Sequence, residues 1–131
     1  MMQRVRDRKR GFTIIELLIV IAIIAILAAV AIPALLKAQK SGKESAATQV
    51  LKSLRSAEEV YKTKKTSYGN LNDLSASNSS PVQENATDVN SGYVFKTLTN
   101  TSQVFTITAT PTAADMTTYT MGEGGQLLQS Q

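Results

Sequence analysis

From Leu17 to Leu36 the chain runs 20 residues without a charge. As an α-helix rising about 1.5 Å per residue, that run is about 30 Å long, the thickness of a bilayer's hydrocarbon core. Leu, Ile, Val and Ala fill nearly all of it. A helix apolar on every face is buried in lipid or among copies of itself. A short basic leader, Arg4-Val5-Arg6-Asp7-Arg8-Lys9-Arg10, precedes it and ends on Gly11, and one carboxylate, Glu16, stands at the entrance of the run.

The charge of the chain follows the same division. The formal net charge of +4 invites a nucleic-acid partner. Residues 1–11 hold five basic side chains and one Asp, whereas the other 120 residues hold nine of each sign. No nucleic-acid contact is evident in that balance. The basicity reads instead as a topology signal that keeps the leader cytoplasmic and exports the rest. The chain has neither Cys nor His, so no disulfide staple, cofactor or zinc site is expected. Asp73, Glu84, Asp88 and Asp115 are candidates for an oxygen-lined calcium site, but they lack the spacing of a calcium loop and read better as solvated loop acids. With so few acid–base or nucleophilic groups, no catalytic pocket and no enzyme is expected.

Three readings fit the N-terminal stretch. A plain transmembrane anchor needs neither Gly11 nor Glu16. A secretory signal cut after Ala29-Val30-Ala31 has a small-residue site, but an apolar core longer than the usual span of about 7–15 residues. The third reading cuts before the apolar run. Lys9-Arg10-Gly11-Phe12-Thr13-Ile14-Ile15-Glu16 resembles the processing site of type IV prepilins, densely over Lys9 to Pro33 and loosely beyond. The resemblance implies cleavage between Gly11 and Phe12 by a membrane peptidase, with N-methylation of the new N-terminus at Phe12. It also implies that Glu16 meets the terminal amine of a neighbouring subunit during assembly. A carboxylate at the centre of a membrane helix costs about 2.5–3.5 kcal/mol on insertion scales, so such a residue usually has a partner. The alternative is an interfacial glutamate that only reaches headgroups. Pro33 matches the pilin pattern as well, and implies a helix bend or a locally opened turn rather than a helix boundary.

After Pro33 the pattern becomes one-faced. Ala47, Val50, Leu51, Leu54, Ala57 and Tyr61 recur at helical steps, with Lys52, Arg55, Glu58, Glu59, Lys62 and Lys64 on the other faces. One helix is predicted from about Thr13 to Lys65, its second half packed on a sheet. Turn-formers at Thr66 to Asn70 end it. Pilin-like chains often carry Tyr-Pro there, and this one has Tyr68-Gly69. Residues 75–92 read as an exposed loop, poor in apolar side chains. Period-two segments then predict strands at Tyr93–Leu98, Val104–Ala109, Met116–Met121 and Gln126–Gln129 in an antiparallel meander. Phe105, Ile107, Ala109, Tyr119 and Met121 are expected to face the helix.

The expected fold is α+β, a long N-terminal helix on a small sheet of three or four antiparallel strands. Residues 1–11 form a cleaved leader, 12–36 a transmembrane and filament-core helix, and 37–131 an exported head. The expected function is a structural subunit of a type IV pilus-like filament, a homo-oligomer served by a prepilin peptidase and methylase and by inner-membrane assembly machinery. The precursor would sit in the inner membrane and the product at the cell surface. Alternatives are a pseudopilin of a secretion or DNA-uptake system, whose filament is periplasmic, and an exported or anchored binding module.

Overall fold

The computed structural model describes residues 11–130. The basic leader, except Gly11, lies outside the described residues. The elements are α1 (Ile14–Lys65), α2 (Leu71–Ala76), β1 (Tyr93–Asn100), β2 (Phe105–Pro111), β3 (Thr118–Gly122) and β4 (Leu127–Ser130). The fold is therefore α+β, and the chain divides after Lys37 into two compact units.

The first unit is the apolar part of α1. It is long and apolar enough to cross a membrane, and none of its most apolar 18-residue window is buried. Ile14 is 80% exposed and Val30 74%, so this segment has no core of its own. The helix continues through Pro33. The proline is therefore no helix boundary, and it deprives one carbonyl near Ala29 of its donor.

The second unit begins at Ala38 and owns a core. The sheet runs β1-β2-β3-β4 in sequence order, antiparallel throughout. Its inner face presents Tyr93, Phe95, Phe105, Ile107, Ala109, Tyr119 and Met121, all buried. Thr106, Thr108 and Thr120 alternate with them and are half-exposed. That alternation is what an antiparallel sheet with one wet face requires. Ala47, Leu51, Leu54 and Ala57 of α1 belong to the same core cluster, with Val50 and Tyr61 packed at its margin. A fragment of residues 38–131 is expected to fold alone as a monomer. Leu54→Ala should destabilise it by about 2–5 kcal/mol in urea unfolding; an unchanged midpoint would place the core elsewhere.

Two features differ from the sequence expectation. Glu58, assigned by charge to the solvent face, is fully buried, because its steps of four and seven from Leu54 and Leu51 place it on the apolar stripe. The 75–92 segment is not free of the core either. Val82 is buried, Asn85 N–H donates to Phe95 C=O at 2.9 Å, and Asp88 N–H donates to Tyr93 C=O at 2.8 Å. With a bridge between Thr87 and Val94, the segment caps the outer edge of β1 and satisfies groups an edge strand leaves unpaired.

Candidate functional site

The N-terminal site is built on three residues ahead of a helix. Gly11, Phe12 and Thr13 are non-helical. Phe12 is 86% exposed, and a Cβ added at Gly11 would meet nothing within 4 Å. Thr13 then caps α1. Its N–H donates to Glu16 Oε2 at 3.3 Å, and Glu16 N–H donates to Thr13 Oγ1 at 3.2 Å. This reciprocal pair is a capping box, which satisfies two of the donors a helix start leaves orphaned. The sequence carries its signal, Thr-x-x-Glu, and it gives Glu16 a local role besides any partner in another chain. The carboxylate also favours the positive end of the helix dipole.

The second site is the junction between α1 and α2. Glu58 Oε2 accepts from Gly69 N–H at 2.9 Å, while Oε1 is buried with no partner among the described residues. Burial raises the Glu58 carboxyl to about 6; the Gly69 amide opposes the shift, and the Asp73 and Glu59 carboxylates add to it. Gly69 is tightly enclosed, since a Cβ there would lie 3.1 Å from both Tyr61 Cε1 and Asp73 Cβ. Next to it, Asn70 and Asp73 make the capping box of α2. Tyr68 stacks obliquely on Phe105 at 4.7 Å and donates to Glu59 Oε1 at 3.1 Å. Buried Tyr93, whose hydroxyl donates to Thr117 C=O at 2.8 Å, is pushed up to about 12 by burial, with Glu44 and Tyr119 adding to the shift.

The acids considered for calcium are engaged separately. Asp73 caps α2, and Glu84 accepts from Asn72 and Thr97. Asp88 accepts from Ser91, and Asp115 pairs with Lys40. Among the described residues no three potential metal ligands converge.

Comparison with known proteins bears on both units. Residues 6–32 match the family model described as "Prokaryotic N-terminal methylation motif". Residues 35–120 match the model described as "Type IV minor pilin ComP, DNA uptake sequence receptor". A comparison with curated proteins gave no match. The methylation motif spans the capped start of the apolar helix, and the minor-pilin model takes in α1 from Leu35 onward, the junction, β1, β2 and the first part of β3. The chain belongs to the type IV pilins, in the family of the minor pilin ComP.

Proposed function

We propose that the chain is a structural, non-enzymatic subunit of a type IV pilus-like filament, made as a membrane-held precursor that is cut between Gly11 and Phe12 and methylated at Phe12. The observation that carries this reading is an apolar helix with no intramolecular cover, preceded by an exposed, non-helical Gly-Phe junction. Glu16 would pair with the Phe12 amine of a neighbouring copy, and residues 12–36 would bundle into the filament core. Each helix then removes its apolar surface from solvent or lipid in one step. The precursor would reside in the inner membrane with its leader cytoplasmic, and its partners would be the prepilin peptidase and assembly machinery.

Sequencing the mature N-terminus tests this directly. Methylated Phe12 is expected, whereas an N-terminus at Ile32 would replace the reading with a secreted module. Gly11→Val should leave uncut precursor in the membrane. Because the open space around Gly11 admits the larger side chain, that failure would report peptidase recognition and not misfolding.

The minor-pilin match favours a second reading, in which the head receives DNA. Seven basic residues lie on α1 between Ala38 and Lys65, and they are the groups that would meet phosphates. Binding of labelled duplex to the 38–131 fragment should then weaken steeply with salt. Binding that ignores salt would remove this reading and leave the filament role untouched.

A further inference from the structure

The charge-balanced head is divided within itself. Residues 38–65 carry seven basic and three acidic side chains, while residues 66–131 carry one basic and five acidic. At about 100° per residue, two flanks border the buried stripe of α1. One, through Gln49, Val50 and Ser53, faces Pro81, Val82 and Asp88. The other, through Lys52, Arg55, Ser56 and Glu59, opens with Met121 and Gly125 into a cleft of about 530 Å³.

Arg55 reaches into that cleft and makes no ion pair among the described residues. Gly125 has φ +71°, which favours glycine, and its bare Cα lets the β3–β4 turn come close to the guanidinium: a Cβ there would sit 2.6 Å from Arg55 Cζ. Arg55 Nε is buried without a hydrogen-bond partner among the described residues. Lys52, one turn earlier, is exposed and makes no ion pair among them. Glu59 faces the same cleft but already accepts from Tyr68. The cleft therefore has a surplus positive charge and, in Arg55, a donor without a partner among the described residues. The opposite flank offers the complement. Asp88 is held in a tight turn, with Ser91 N–H and Oγ both donating to Oδ2, at 2.9 and 2.5 Å, and Gly92 N–H donating to its carbonyl at 2.8 Å. Its Oδ1 takes part in none of these bonds. Beside it Val89 is 95% exposed, an apolar tip suited to the alkyl stems of Lys52 and Arg55.

We infer that the Lys52–Arg55 cleft receives Asp88, with Val89 beside it, from a second copy of this chain. The inference rests on the filament reading above and specifies its lateral contact. Donor and acceptor lie on different flanks, which suits a heterologous contact, the kind that builds a helical filament when its rotation does not close a ring. A rigid guanidinium meeting a carboxylate is a strong, geometry-selective pair.

The chain lacks cysteine, which permits a clean test. Two differently tagged full-length copies, one Lys52→Cys and one Val89→Cys, which keeps Asp88 and Arg55 in both, are co-expressed and oxidised, and membranes and sheared filaments are run without reductant. A mixed-tag dimer in filaments is expected, and filaments without it would overturn the contact. A mixed dimer confined to membranes, with no filaments, would keep the contact and sink the filament reading. Neither dimer nor filaments would sink both. Independently, Arg55→Glu and Asp88→Arg should each lower incorporation about tenfold, from loss of a charge-assisted pair. Together they should restore it. Single variants that incorporate like the wild type would refute the pairing.

Discussion

Glu16→Gln is expected to be cleaved, to remain in the membrane, and to be depleted several-hundredfold from filaments when co-expressed with wild type. If Glu16 pairs as proposed, replacing the carboxylate would leave a neighbour's Phe12 amine unpaired among apolar helices, and breaking a buried pair costs about 3–5 kcal/mol. The choice of glutamine follows from the capping box at Thr13. Glutamine at that position still closes the box, so it removes charge while keeping the helix start. Glu16→Leu removes both. Depletion of both variants assigns the effect to pairing, whereas depletion of Glu16→Leu alone assigns it to the cap. A plain anchor would gain from either change, since each deletes a charge that is expensive in lipid. Mass spectrometry of subunits from purified filaments reads the ratio, and equal representation of Glu16→Gln and wild type would refute the pairing.

Gly69→Pro should destabilise the head by about 3–5 kcal/mol, from a lost donor to a buried carboxylate and from overpacking. Proline is common after the tyrosine in chains of this kind, but here the Gly69 amide is the hydrogen-bond partner of Glu58, and Tyr61 and Asp73 close around it. Gly69→Ala keeps the donor and should show only the packing part, about 1–3 kcal/mol. Glu58→Gln in the Gly69→Pro background should recover part of the loss, since a neutral amide is cheaper to bury than a carboxylate. Urea unfolding of the head and its variants measures all three. A head indifferent to Gly69→Pro would show the Glu58 contact to be dispensable.

The same carboxyl sets a pH dependence. Its pKa in the folded head is about 6 against an ordinary 4.5, so between these values the folded state binds a proton that the unfolded state does not. Its contribution is therefore most favourable below about pH 4.5 and declines as pH rises through about 6, by on the order of 2 kcal/mol in all. The melting temperature of the head should be higher at pH 5 than at pH 7.5, and Glu58→Gln should flatten the difference.

What could be read from the sequence follows from how each signal arises. The apolar run, the helical stripe through Leu51 and Leu54, and the alternation of Phe105, Ile107 and Ala109 are periodic over many residues. Periodicity survives a misjudged position, so α1, the strands and their inner face are legible. Glu58 is a single position where charge and spacing disagree, and spacing wins because the Gly69 amide supplies a partner within the core. Residues 75–92 are opaque for a related reason. They attach through one buried valine and through backbone hydrogen bonds to β1, and backbone donors leave no mark on composition. The Asn70–Asp73 and Thr13–Glu16 boxes are legible as spacing, yet each also reads as ordinary turn or membrane chemistry until the partner atoms are in view. The cleft at Arg55 has no sequence signature, because it depends on a glycine 70 residues away with positive φ.

The uncovered segment of α1 divides how the two parts of this chain answer to change. In the head, a substitution is felt within the molecule, because Leu54 or Phe105 meets neighbours from the same chain. Between Leu17 and Leu36 there are no such neighbours among the described residues, and the head of a lone copy would melt at the same temperature with or without many substitutions there. Their effect scales with the concentration of other copies, by mass action. Variation in this stretch is thus invisible to the monomer and exposed to selection only through the company it keeps.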